Sequence, residues 1–191
     1  LALLSYQSRD YDFTLTAPPL DSNLDTRTYS GEIQYLYRAD AWSVVSGLRY
    51  YESTVEDTFD FMGDVSVDTR RPESLGAYVY VTAEILPQLQ LTLGISRDEN
   101  RNVVYDRSRW NPKAGLIWQA TDNTTIRAGA FRTLQLTTPA RQEILPSLEP
   151  TAVAGFNQFF FGSQSEEADR YGVGIDHRFS GSLHGGAELS R

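Results

Sequence analysis

Apolar and polar residues alternate along most of the chain with a period of two, which indicates half-buried β-strands and not helices. The clearest stretch places Leu89, Leu91, Leu93 and Ile95 opposite small or polar residues. Comparable segments of roughly 8–11 residues recur about ten times and are separated by turn residues. The pattern predicts an all-β, antiparallel protein with long strands.

The connections between the predicted strands fall into two groups. Short turns lie at 39–41, 85–88, 120–123 and 180–182, and long polar connections lie at 10–27, 53–73, 98–109 and 134–150. Tight turns at one end and long loops at the other are typical of outer-membrane barrels. If ten strands alternate strictly in direction, the short turn at 180–182 lies at the end of the sheet that carries the long loops. Either 134–150 hides another strand, or the strand predicted near 151–170 is wrong.

The two faces of the strands favour a membrane barrel over a soluble sheet. One face is apolar, and the other carries mostly Gly, Ser, Thr, Gln, Tyr and Arg, which suits a polar lumen. Aromatic residues gather near strand ends, where interfacial girdles lie: Trp42, Tyr50, Tyr51, Trp110 and Trp118. We predict an antiparallel up-and-down transmembrane β-barrel, or part of one. The alternative is a soluble antiparallel sheet that packs on a second sheet.

Composition narrows the function classes. The 191 residues carry a net charge of −8, which argues against a nucleic-acid partner, and include no cysteine for disulfides or thiolate metal sites. No apolar run approaches the roughly 18 residues that a membrane helix needs. The two histidines, His177 and His184, lack partners for catalysis or metal binding, so we expect neither an enzyme nor a cofactor.

The barrel interpretation assigns candidate roles to both faces. The lumen-facing candidates, which would set the charge of the lumen and contact a plug, are Glu32, Gln34, Arg38, Arg49, Gln90, Gln119 and Arg127, with Arg132 on or near the same face. The lipid-facing belt comprises Leu89, Leu91, Leu93, Ile95, Leu116, Trp118 and Ile126, together with Ala114, Ala128 and Ala130.

Two charged clusters fall in predicted loops. The acidic cluster of Glu56, Asp57, Asp60 and Asp64 is expected to be a solvated loop, with calcium or a cationic ligand as the alternative. The second cluster mixes both signs at Arg97, Asp98, Glu99, Arg101, Asp106, Arg107 and Arg109. We expect ion pairs there, and the alternative is contact between its arginines and lipopolysaccharide phosphates.

The second half of the chain carries recognisable motifs. The stretch "WNPKAGLIWQATDNTTIRAGAFRT" resembles a recurrent hairpin of TonB-dependent outer-membrane receptors, in which an "NPK.GL.W" strand precedes a short turn and a "T.RA....R" strand. "SLEPTAVAGFNQFF" resembles the next strand-opening element, and "RYGVGIDHRFSGSLHGGAELSR" is similar to the following hairpin. The same block also resembles the barrel of outer-membrane proteins that carry tetratricopeptide repeats.

The resemblance implies uptake of a metal chelate or similar nutrient across the outer membrane of a Gram-negative cell. It implies TonB and a plug domain as partners, beside outer-membrane lipid and lipopolysaccharide, and leaves the small-molecule ligand unnamed. Nothing here resembles a plug or a TonB box, and such receptors have 22 strands. We therefore interpret residues 1–191 as a single barrel region of a larger barrel, although a small barrel of 8–10 strands fits the length. The repeat-bearing relatives imply export or secretion of polysaccharide instead.

Overall fold

The computed structural model describes residues 1–17, 19–101, 106–134, 147–158 and 166–191, and every regular element among them is a β-strand. The strands are β1 Ala2–Thr16, β2 Pro19–Arg38, β3 Trp42–Phe61, β4 Asp64–Arg70, β5 Glu73–Leu86, β6 Leu89–Arg101, β7 Arg107–Thr121, β8 Thr124–Leu134, β9 Ala152–Val153, β10 Phe156–Asn157, β11 Glu167–Arg178 and β12 His184–Ser190. The part of the chain described here holds no helix that is long and apolar enough to cross a membrane.

Ten of the strands form one antiparallel sheet. Its order is β1-β2-β3-β5-β6-β7-β8-β11-β12, with β4 paired to β3 alone, so neighbours in the sheet follow one another along the chain. This confirms the predicted all-β, antiparallel, up-and-down arrangement. The sheet is open, with β1 and β12 at its edges.

Two of the predicted long loops are wrong. Residues 10–16 and 19–27 belong to β1 and β2, which pair without interruption from Ala2↔Ile33 to Thr16↔Pro19. Residues 53–73 belong largely to β3 and β4, joined by a two-residue turn in which Met62 and Gly63 have positive φ angles of 56° and 90°. Such a turn matches the twist of paired strands. The alternation of apolar and polar residues is lost in the second of these segments because β4 is exposed on both faces.

The remaining long connections are shorter or lie outside the described residues. β6 continues to Arg101 and β7 begins at Arg107, so little of the predicted 98–109 loop is left. Most of 134–150 lies outside the described residues, although 147–150 can be placed. Strands are also longer than predicted, and β2 and β3 have 20 residues each.

The strand predicted near 151–170 is wrong, and this removes the conflict over turn 180–182. Residues 152–157 form the separate β9–β10 hairpin instead of a strand of the main sheet. The β11–β12 connection then lies at the same end as the other short turns. Ala154 and Gly155, with φ angles of 50° and 84°, form the hairpin turn.

The β9–β10 hairpin defines the two faces of the sheet. The inner face is the one on which residues 147–158 pack, and the outer face is the opposite one. The buried apolar cluster lies between the hairpin and the inner face and comprises Tyr78, Tyr80, Phe131, Val153, Ala154 and Phe156. Most outer-face apolar side chains are exposed instead, among them Leu48 and Leu93. The apolar side chains that produce the alternating pattern therefore lie on the outer face, away from the buried cluster.

Candidate functional site

A buried polar network on the inner face is centred on Glu149. Its Oε1 accepts a hydrogen bond of 2.6 Å from the Tyr80 hydroxyl on β5. Its Oε2 lies 3.4 Å from Nη1 of Arg49 on β3, and Lys113 Nζ on β7 lies 3.8 Å from Oε1. Three strands therefore supply donors to one carboxylate. Buried charges are stable only when they are paired and hydrogen-bonded in this way.

Asp98 on β6 holds the opposite side of Arg49. Its Oδ1 accepts a 2.9 Å hydrogen bond from Arg49 Nη2. Its Oδ2 accepts a bond of 2.6 Å from Asn111 Nδ2 and another of 3.2 Å from Ser96 Oγ. The guanidinium thus lies between two carboxylates, one from the sheet and one from residue 149. This arrangement fixes the position of Arg49 on a wall where a lone arginine would be free to move.

Glu32 and Gln34 on β2 bind the chain just before Glu149. The Leu148 backbone N–H donates a 2.9 Å hydrogen bond to Glu32 Oε2, and the Tyr78 hydroxyl donates one of 2.7 Å to Oε1. Gln34 Nε2 donates to the Leu148 carbonyl. Both backbone polar groups of residue 148 are therefore satisfied by side chains of the sheet, as buried backbone groups require.

Gln158 closes the network at the other end of the hairpin. Its Oε1 accepts a 2.7 Å hydrogen bond from Lys113 Nζ, and its Nε2 donates one of 3.0 Å to the Tyr80 hydroxyl. Its own backbone N–H bonds to the Thr151 carbonyl at 3.0 Å. Lys113 is the chain's only lysine, and here it is buried between the sheet and the hairpin.

Arg127 on β8 contacts the hairpin turn from the inner face of the sheet. Its guanidinium stacks over the Phe156 ring at 5.2 Å and donates to the Ala154 carbonyl at 3.4 Å. Arg127 Nε also donates to Asp176 at 2.7 Å, and Nη2 lies 3.5 Å from Glu188. This second group is more exposed than the Glu149 network.

The predicted inner-face residues divide into those that join the network and those that do not. Glu32, Gln34 and Arg49 join it, and Arg127 contacts the hairpin. Arg38, Gln90 and Gln119 share the inner face by register but lie nearer the short turns, outside the network. Their expected role in lining a lumen stays a prediction.

The sequence interpretation missed several residues of the network. Tyr78, Tyr80, Asn111, Lys113 and Glu149 were assigned no role, and Asp98 was placed in a loop cluster. One signal was present, because Tyr78, Tyr80 and Lys113 alternate in phase with the polar face. The partner, Glu149, follows a long connection, and no periodicity predicts where such a residue docks.

The predicted belt residues lie on the outer face. Pairings such as Leu93↔Ala114 and Trp118↔Ile126 place them side by side in rows across β6, β7 and β8. Leu93 and Trp118 are 52% and 44% exposed. One aromatic residue was assigned wrongly: Tyr51 is buried on the inner face, one residue out of phase with Tyr50.

The acidic cluster lies on the β3–β4 hairpin and not in a loop. Glu56 and Asp60 point to one face of β3 and Asp57 to the other, where it lies 3.6 Å from Arg70. Asp64 begins β4. No group of three or more metal-ligating side chains occurs within the described ranges.

The mixed-charge cluster forms ion pairs, as predicted for most of its members. Arg97 and Arg101 pair with Glu99, and Arg109 pairs with Glu167 at 2.7 Å. Asp98 also forms an ion pair, but it does so inside the network, with Arg49 on the inner face.

The prediction of a polar-face position is wrong for Arg132, and the two histidines lie on opposite faces of the sheet. Arg132 is on the outer face and pairs with Asp169 at 2.8 Å; its hydrogen bond holds the pKa of that carboxyl below the usual range. His177 bonds to Thr124 on the outer face at 2.9 Å, whereas His184 falls on the inner face by register. The histidines therefore do not form a site together.

A family model described as "TonB dependent receptor-like, beta-barrel" matches residues 2–189. The chain belongs to this family. TonB-dependent receptors are outer-membrane transport proteins, and the order and pairing of strands in this chain correspond to a section of their barrel wall. No curated protein matches the sequence.

Solved structures of TonB-dependent receptors share the fold at low identity. "Copper transporter OprC" aligns with a TM-score of 0.72 at 14% identity, covering 99% of this chain and 34% of that one. The ferric yersiniabactin uptake receptor FyuA from Yersinia pestis aligns at 0.65 and 12%, covering 99% and 32%. The alcaligin receptor FauA from Bordetella pertussis aligns at 0.59 and 18%, with the same coverage. The chain spans about a third of the length of each.

Two of the three motifs that resemble this receptor family meet in the network. Asn111 and Lys113 come from the "NPK" strand, and Glu149 comes from the "LEP" segment. Lys113 Nζ reaches both Glu149 and Gln158, while Asn111 holds Asp98. The motif positions therefore act in attaching residues 147–158 to the barrel wall.

Proposed function

We propose that this chain is part of the wall of an outer-membrane receptor that imports a metal chelate or a similar scarce nutrient, together with TonB and a plug domain. Membership of the receptor family carries the proposal. The copper, yersiniabactin and alcaligin systems named for its structural relatives suggest the class of cargo. We propose transport and not catalysis as its work, because the family to which the chain belongs consists of transport receptors.

The outer face supports a location in the outer membrane. Aromatic residues stand eight positions apart on the same face of four strands or their ends, as the pairs Tyr29/Tyr37, Trp42/Tyr50, Trp110/Trp118 and Tyr171/Phe179. Eight residues span about 26 Å along a strand. At a tilt of 35–45° this becomes roughly 19–22 Å of height, close to the ~25 Å apolar band between the aromatic girdles of such barrels.

The side chains between the two aromatic rows suit hydrocarbon. They include Ile33, Leu48, Val79, Leu93 and Val173, all between 38% and 61% exposed. A soluble protein rarely leaves so continuous an apolar surface open to water. We propose that this belt, including the predicted Leu89, Leu91, Ile95, Leu116 and Ile126, faces lipid.

The inner face supports the complementary role of lumen wall. Its polar residues are paired with one another and with residues 147–158, so the charged groups are held in place without lipid contact. Polar interiors of this kind are the rule in outer-membrane barrels. Arg38, Gln90 and Gln119 extend the polar surface toward the short turns, and we propose that they contact the plug.

Uptake measurements test the proposal. A strain lacking the gene, the same strain complemented, and a strain lacking TonB are compared for uptake of radiolabelled copper, ferric yersiniabactin and ferric alcaligin. We expect uptake of at least one cargo to fall about tenfold in both defective strains. Unchanged uptake of all three would contradict the proposal for this class of cargo.

The two alternative functions give different outcomes. An export barrel attached to tetratricopeptide repeats predicts loss of a surface polysaccharide in the deletion strain, with normal metal uptake. A soluble β-sheet binding module predicts a protein that stays monodisperse in plain buffer and is absent from the outer-membrane fraction. Membrane fractionation of the expressed protein separates this last alternative from the other two.

A further inference from the structure

Three inner-face glycines lie directly beneath the β9–β10 hairpin. Gly115 on β7 pairs with Gly129 on β8, which pairs with Gly172 on β11, so the three form one row across the sheet. A Cβ at 115 would lie 2.7 Å from Val153 Cγ1, and a Cβ at 172 would lie 2.5 Å from Phe156 Cε1. Only glycine allows the hairpin to approach the sheet backbone this closely.

The hairpin also has polar attachments at both ends. On one side Glu149 binds Arg49, Tyr80 and Lys113. On the other side Arg170 Nη1 on β11 donates to the Asn157 carbonyl at 3.0 Å. The attachments therefore extend across the sheet from β3 to β11, and the glycine row lies between them.

We infer that residues 147–158 form a fixed wedge, a permanent part of the inner wall that closes the space over β7, β8 and β11. This inference rests on the proposed function, because it takes the inner face as the lumen wall. Over β7, β8 and β11, solute and plug then contact the exposed side of the wedge at Ala152, Gly155 and Asn157. They do not contact the strands behind it. The wedge thereby covers the glycine row and buried Lys113 with an uncharged surface.

The contacts favour a fixed wedge over a lid that opens. Val153 is fully buried, and Ala154 and Phe156 are nearly so. Opening would expose these side chains and would separate Glu149 from Arg49 and Lys113. Each of these two buried cations would then lose a carboxylate partner, which is costly for a buried charge. A segment that moves during transport is expected to have few buried apolar contacts, and this one has the opposite.

A disulfide between wedge and wall tests the proposed position. The pair Gly115→Cys and Ala154→Cys is introduced into the full-length receptor. An ideal Cβ at 115 lies 2.9 Å from Ala154 Cβ, so a shift of the hairpin away from the sheet by about 1 Å gives the separation of about 3.5–4.5 Å that a disulfide needs. The control pair is Ala114→Cys and Ala154→Cys, since residue 114 points to the outer face. After mild oxidation in outer-membrane vesicles we expect the first pair to cross-link in most molecules and the control in almost none. Equal cross-linking would overturn the proposal.

Thiol accessibility gives a second test that leaves the glycine row intact. The chain has no cysteine, and the unsubstituted receptor supplies the background. N-ethylmaleimide is expected to label Val153→Cys at least tenfold more slowly than Ala152→Cys, its exposed neighbour in the hairpin, and Glu149→Gln is expected to narrow this ratio. Equal rates at 152 and 153 would overturn the proposal.

These readouts are independent of cargo. They report distances and exposure within the chain, so the wedge proposal can fail in a receptor that still imports metal. Equally, a protein that imports none of the tested cargoes can still show the cross-link and the protected thiol.

Discussion

Replacing Glu149 by Gln tests how much the buried network contributes to stability. The substitution keeps the shape and an acceptor for Tyr80 but removes the charge that faces Arg49 at 3.4 Å. At an effective dielectric constant of about 20, that single attraction amounts to roughly 5 kcal/mol before desolvation is subtracted. Removing one partner of a buried ion pair costs about 3–5 kcal/mol. Arg49 keeps Asp98 at 2.9 Å and Lys113 keeps Gln158 at 2.7 Å, so we expect the lower end, about 3 kcal/mol.

The matched control is Glu188→Gln. Glu188 faces Arg127 at 3.5 Å on the same face, but its side chain is 44% exposed whereas that of Glu149 is 7% exposed. An ion pair open to water contributes about 0–1 kcal/mol. Urea unfolding of the full-length receptor in detergent micelles, followed by tryptophan fluorescence, measures both losses. Equal losses for the two variants, or a loss under about 1 kcal/mol for Glu149→Gln, would refute the argument that burial makes this network strong.

Two further predictions concern the faces of the sheet. Leu93→Arg on the outer face is expected to destabilise the receptor in lipid vesicles by about 2–4 kcal/mol, because it places a charge in hydrocarbon. The adjacent inner-face Thr92→Arg is expected to destabilise it by clearly less. Equal urea midpoints for the two variants would contradict the assignment of faces. Gly172→Ala is expected to lower the free energy of unfolding by about 1–3 kcal/mol through overpacking against the wedge. Gly31→Ala is expected to be nearly neutral, since its Cβ would meet only the flexible end of Leu4 at 3.3 Å. The same unfolding assay separates the two variants.

The sequence was informative wherever one face of a strand is apolar. The alternation around Leu93 and Trp118 predicted correctly that these residues share one face of neighbouring strands, because a slip of one residue would exchange the two faces. The turns at 39–41 and 120–123 followed from their residue types. By contrast, the pairing of residues 10–16 with β2 could not be predicted, because β1 is exposed on both faces there and needs no apolar alternation.

The network was beyond local sequence reasoning for a different reason. Arg49 and Glu32 were recognised as polar-face residues, yet their partner Glu149 lies 100 positions from Arg49 along the chain. Such contacts depend on how a loop folds back onto the sheet, and no periodic pattern encodes that. The segment "TAVAGFNQ" packs on the glycine row through Val153, Ala154 and Phe156. Its apolar residues have strand-like spacing, so its sequence looked like that of a barrel strand.

The β3–β4 hairpin has a practical consequence for work on intact cells. From Tyr50 to the end of β3 at Phe61 is eleven residues, or roughly 36 Å along the strand, beyond the aromatic row. At its tip Met62 is 68% exposed, and a Cβ at Gly63 would meet nothing within 4 Å. With the outer face placed in lipid as proposed, the β3–β4 ribbon holds its turn well clear of the bilayer. A short epitope inserted between Met62 and Gly63 would report surface assembly by antibody binding, while leaving the barrel wall and the wedge untouched.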